Sequence, residues 1–123
     1  MKKFLLTSFI LLVSCSNEYE LTMERGIQYY EWDMIEKAVM EFKSVTHSLG
    51  AKSNKLDYVD IKLLSRAHHN LAVAYAKKKW YSEAIIEANQ AFELYPSDDN
   101  KKVLELIKKK LQSVKDSSKT IIQ

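Results

Sequence analysis

Hydrophobic positions follow two regimes along this chain. From Phe4 to Val13 they form a run interrupted only by Thr7 and Ser8. Beyond it they recur at helical spacing, mixed with charge. The clearest case comes last: Val103, Leu104, Ile107, Leu111 and Val114 share one face, with lysines opposite. The pattern predicts five helices, at roughly 18–31, 34–48, 58–78, 81–94 and 98–114. Asp33 and Ser97 stand where N-caps are needed. Asp98 and Asp99 suit the first turn of the last helix through its dipole. Gly50 suits a C-terminal cap. Pro96 stops the fourth helix, because the residue before a proline is pushed out of helical geometry. The polar stretch 50–57 reads as a loop or an extra turn of the following helix, and 116–123 as a frayed tail.

Composition narrows this to an all-α fold. The 123 residues include 2 glycines and 1 proline, too few for the frequent turns of a strand-rich fold. The length allows a single domain. The net charge of +3 owes two of its 19 basic residues to Lys2 and Lys3, leaving 17 against 16 acids in the remainder. A near-neutral domain has no general attraction for nucleic acid. The single cysteine excludes an internal disulfide.

The first apolar run is too short to remain in a bilayer, which needs about 20 residues. Two lysines, an apolar run and a short polar exit have the layout of a secretory signal peptide over 1–14. The exit reads Leu12-Val13-Ser14-Cys15. It resembles the bacterial lipobox, which implies cleavage before Cys15 after its sulfur has gained a diacylglycerol. Residues 15–18 then form a lipidated tether, since two or three acyl chains hold a protein firmly at a membrane. Ser16 stands where an aspartate would retain the protein at an inner membrane, so the resemblance implies the periplasmic face of the outer membrane.

The stretch 65–98 carries a second pattern. Counting Ser65 as position 1, Leu71 falls at 7, Ala72 at 8, Tyr75 at 11, Tyr81 at 17, Ala84 at 20, Ala91 at 27 and Pro96 at 32. This resembles the tetratricopeptide repeat, a helix pair with a period of about 34 residues. His68 and Ala88 depart from the family's large residues at their positions. Shifted upstream by 46 residues, Gly26 aligns with Ala72, Tyr29 with Tyr75, Ala38 with Ala84, and Val45 with Ala91, while Phe42 stands opposite Ala88. A first, weaker repeat is thus read over 19–52, within a helical domain spanning 19–115 that ends in a solvating cap helix at 98–114. The excess of 46 over the family's period of about 34 lies in the stretch from Gly50 to Asp57. The resemblance implies that small residues at Gly26, Ala38, Ala72 and Ala84 let the paired helices nest.

Catalytic and metal chemistries find little footing. His68 and His69 are adjacent, so their side chains diverge by about 100° on a helix, unlike the i, i+4 pairs that bind zinc. His47 has no evident partner. Gly26 and Gly50 alone cannot build a phosphate loop, and no nucleophile elbow is present. No enzyme activity, cofactor or metal is therefore expected. Lys101, Lys102, Lys108, Lys109, Lys110 and Lys115 make the last helix basic, which reads as a solvated face or as contact with anionic lipid heads near the anchor. Trp32, Trp80, Tyr29, Tyr30 and Tyr81 read mainly as packing between helices, with exposed members marking an interface as the alternative.

By the same resemblance a groove forms along the first helix of each repeat. Its partner-contacting positions would be Met23, Ile27 and Tyr30, then Arg66, His69, Asn70, Val73 and Lys77. The family's clamp for a C-terminal carboxylate is missing from the first repeat, so an apolar segment or helix of a partner is expected instead. A lipoprotein with such repeats resembles the BamD family of the outer-membrane β-barrel assembly machine. Secretin pilotins and accessory regulators of cell-wall enzymes are the other classes in view. Cells fed a tagged fatty acid are expected to label the chain, and Cys15→Ala is expected to abolish the label; persistence of the label in that variant would remove the anchor from this reading.

Overall fold

The computed structural model describes residues 18–52 and 54–122. The expected signal peptide over 1–14 and Cys15 lie outside the described residues. Five helices follow in order: α1 Glu18–Glu31, α2 Ile35–Gly50, α3 Tyr58–Lys77, α4 Tyr81–Leu94 and α5 Asp98–Ile121. The fold is all-α and helical-repeat-like, as the sequence predicts.

Each helix packs chiefly on the next in sequence. α3 also touches α1 and α5, whereas α2 and α4 do not meet. The odd helices therefore share one layer, and the even helices splay apart in the other, which makes the odd side concave. Helix direction alternates. Lys52 after α2 lies over the Tyr19 ring at the start of α1, and Tyr58 at the start of α3 meets Tyr95 at the end of α4. The starts of α1, α3 and α5 thus share one end of the molecule.

Small residues set the helix spacing. Ala38, Ala72 and Ala84 have no exposed surface, and Gly26 is also buried. At Gly26 an added Cβ would stand 2.5 Å from Phe42 Cε1, so α1 and α2 meet there without room for a methyl group. Around that contact Met23, Phe42, Val45, Leu49, Leu63 and Leu71 form one apolar cluster, with Tyr29 and Tyr75 half-buried against clusters of the core. Between α3, α4 and α5 the second cluster is built from Ala72, Ala84, Ala88, Leu104 and Ile107. Ala91 is buried as well. Pro96 is exposed, and Tyr95 before it is extended at φ −147° where α4 stops.

The two helix pairs turn identically. Asp33 and Lys79, 46 positions apart, have φ of 59° and 63°. Met34 N–H donates to Tyr29 O at 2.8 Å, and Trp80 N–H donates to Tyr75 O at 2.9 Å. Asp33 N–H donates to Tyr30 O, and Lys79 N–H to Ala76 O, both at 3.0 Å. These paired bonds define a left-handed C-terminal cap of the Schellman kind. In the second copy its apolar closure is visible, because Trp80 stacks on Tyr75 with centroids 5.9 Å apart.

Three end assignments differ from the sequence reading. Asp33 is not the N-cap of α2 but the left-handed residue that closes α1; Met34 precedes α2 and gives no side-chain cap. Gly50 lies inside α2 without positive φ, and Ala51 caps the helix by donating to His47 O. α5 runs to Ile121 rather than ending at 114. No glycine or proline interrupts it there, and Ser117, Ser118 and Thr120 return hydrogen bonds to carbonyls four residues back. Ser97 does cap α5, accepting from Asn100 N–H. Asp57 caps α3 in the same way, accepting from Asp60 N–H at 2.8 Å.

The two glycines should respond oppositely to one methyl group. Gly26→Ala is expected to lower unfolding free energy by about 1–3 kcal/mol through overpacking against Phe42. Gly50→Ala meets nothing within 4 Å and is expected to raise it by about 0.5–1 kcal/mol by restricting the unfolded chain. Urea titration of the two variants checks both signs.

Candidate functional site

Along α3 the residues turned toward the concave side form a stripe at helical spacing: Tyr58 and Val59, then Lys62, Arg66, His69 with Asn70, Val73 and Lys77. The first half of the stripe is the floor of an open cleft of about 580 Å³. Glu20 of α1 forms one wall. Tyr95, Ser97 and the first turn of α5, with Asp99 and Asn100, form the other.

A buried polar knot fixes that second wall. The Asn100 side-chain amide donates to Tyr95 O at 2.7 Å, Ser65 Oγ at 3.0 Å and Ala91 O at 3.2 Å. Ser65 Oγ donates to Ala91 O at 2.8 Å. Asn100 Oδ1 accepts from His69 Nδ1 at 2.7 Å, because a carbonyl oxygen cannot donate. The His69 proton is thereby held on Nδ1. These bonds add side-chain donors to the Ala91 and Tyr95 carbonyls, which also accept from Tyr95 N–H and Ser97 N–H, and they join α3, α4 and α5 at one point. Ser65 and Asn100 are both buried, at 2% and 6% exposure, so unpaired groups here would be costly.

The mouth of the cleft is aromatic and cationic. The Tyr58 and Tyr95 rings meet edge-on with centroids 6.5 Å apart, and the Lys62 ammonium lies 5.6 Å and 5.3 Å from their centroids. A hydrogen bond to Tyr95 raises the Tyr58 phenol above its ordinary pKa. Tyr58 and Val59 nevertheless remain 64% and 62% exposed. Arg66 reaches Glu20 across the cleft at 3.5 Å, a solvent-exposed pair of small energetic weight.

The expected groove is only partly assembled. Arg66, His69 and Asn70 share the cleft. Val73 is half-buried, and Lys77 lies farther along α3, 4.0 Å from Asp33. Met23 has no exposed surface and belongs to the core, so it cannot touch a partner. Tyr30 and Ile27 are half-buried against the same core. Ile27 lines a separate shallow depression on α1 with Leu21, Glu24 and Glu31. His68 points away from His69 and bonds Glu87 of α4 at 2.6 Å, giving it a structural partner.

Sequence reasoning missed Tyr58, Val59, Lys62, Tyr95 and Asn100. The first three continue the α3 stripe upstream of Ser65 and could have been found by extending its spacing. Tyr95 and Asn100 arrive through the turn between α4 and α5, and nothing local marks them.

No protein-family model matches the chain, and no curated protein matches it. Fold and cleft together define the class: an all-α, helical-repeat-like protein with an open groove on its concave side. No helix among the described residues is long and apolar enough to cross a membrane.

Asn100→Ala is expected to cost about 1–3 kcal/mol, since it strips buried groups of partners, whereas His69→Ala is expected to cost less because its ring is half-buried. Equal losses in chemical denaturation would remove Asn100 from the centre of this network.

Proposed function

We propose that this chain is a lipid-anchored, non-catalytic interaction module of the bacterial envelope, built on two tetratricopeptide-like helix pairs and a cap helix. Its role would be that of a scaffold in outer-membrane β-barrel assembly. The observation that carries the binding role is the open concave cleft, which presents exposed Tyr58 and Val59 beside polar side chains on a helical scaffold. Tyrosine supplies large contact area at low conformational cost and is enriched where interfaces concentrate their energy. Two further features support the repeat reading. The 46-residue offset recurs in the turn geometry at Asp33 and Lys79, and the small residues aligned by that offset are buried.

With a lipid on Cys15, α1 would begin three residues beyond the anchor. The cleft lies at the end of the molecule where α1 starts, so a partner would be met close to the bilayer. Affinity capture of the full chain from detergent extract tests the role. Co-purification with a β-barrel assembly subunit is the expected result. Enrichment of a secretin or a peptidoglycan synthase instead would redirect the role to secretin escort or cell-wall regulation, and capture that survives Arg66→Ala with Tyr58→Ala unchanged would detach it from the cleft.

A further inference from the structure

The seven residues of α3 upstream of Ser65, from Tyr58 to Leu64, lie outside the stretch that matches the repeat pattern. With the copies read over 19–52 and 65–98, the interval between them is 53–64, so the excess extends past Asp57 into these residues. This extra helix carries Tyr58, Val59, Lys62 and Leu63 into the cleft, where Tyr95 closes the set. The result is an apolar and aromatic platform with one ammonium group at its centre.

The charges around that ammonium decide what it would accept. Arg66 is engaged by Glu20. Asp99 lies in the first turn of α5, where the helix dipole favours a carboxylate. Lys62 is exposed, rests over the two tyrosine rings, and enters none of the ion pairs among the described residues. Among the described residues that line the cleft, its positive charge is the one outside any ion pair, with Asp99 a carboxylate that is likewise outside them. A carboxylate meeting Lys62 would bring its neighbouring side chain over Tyr58 and Val59, and an aromatic or large apolar side chain fits that surface.

We infer that the α3 extension is a selectivity site for a peptide segment in which an acidic residue adjoins an aromatic one, with Lys62 taking the carboxylate and Tyr58, Val59 and Tyr95 taking the ring. The inference rests on the groove reading above and adds the chemistry of the ligand. Two fluorescein-labelled, acetyl-capped hexapeptides test it, one alternating phenylalanine with glutamate and the other phenylalanine with glutamine. Each is titrated with the full chain in nonionic micelles and read by anisotropy, with empty micelles as the blank.

The glutamate peptide is expected to bind about tenfold more tightly. Lys62→Gln should bring that ratio to about one, whereas Lys109→Gln, on an exposed face of α5, should leave it unchanged. Tyr58→Ala should weaken both peptides about fivefold. Circular dichroism is the control that these exposed-site variants keep their helices. Equal binding of the two peptides, or a preference that survives Lys62→Gln, overturns the charge selection; if Tyr58→Ala still weakens both, the groove reading stands. If neither peptide binds above the blank, both readings fall.

Discussion

The close approach of paired helices is the constraint on which the remaining structure depends. A helix surface carrying no side chain at Gly26 lets the Phe42 ring lie where a methyl group would stand. Alanines at 38, 72, 84 and 88 are likewise buried in the helix contacts. Packing at this distance fixes which faces meet, and the turn then has only a short span to cover. The left-handed caps at Asp33 and Lys79 supply that span with the same pair of backbone bonds. Neither residue is a glycine. Each accepts a conformation that costs an L-residue roughly 1 kcal/mol, offset by the helix pair it permits.

Element positions were legible because each depends on local chemistry or simple spacing. The helical period, Ser97 before α5 and Pro96 after α4 act within a few residues of their own position. Buried alanines at 72 and 84 were legible through the spacing of the repeat, and Gly26 and Ala38 through its offset copy. The end assignments failed where one residue type serves two geometries. Aspartate suits an N-cap and also tolerates the left-handed region, so Asp33 could not be resolved without the bond from Met34 to Tyr29. Gly50 was read as a cap because glycine commonly ends helices, yet its backbone is helical and the space beside it is open.

The site was less legible than the fold because it is made by departures from the repeat. A period-based reading assigns groove positions equally to both copies. The copies differ in burial: α1 turns Met23 into the core, while α3 presents Arg66, His69 and Asn70 to the cleft. Lengthening α3 at its start adds Tyr58 to Lys62 at the place where the end of α4 and the start of α5 converge. A reading confined to matching positions passes over such an insertion, although the insertion creates the most distinctive surface of the molecule.

The proposed binding surface and the packing of α5 share atoms in this cleft. His69 lines the floor and also donates to Asn100, which holds the end of α4 and the start of α5 against α3. With only two helix pairs, the array has little core to spare, and α5 must cover the Ala84 and Ala88 face to complete it. A ligand that seats against Tyr95 and His69 would contact two of the groups that dock this cap. Anything that binds the docked arrangement and not the open one stabilises it by mass action. Occupancy of the groove would therefore be linked to attachment of α5 through the Asn100 knot. The same buried amide that closes the last helix onto the repeat would also prepare the surface that a partner meets.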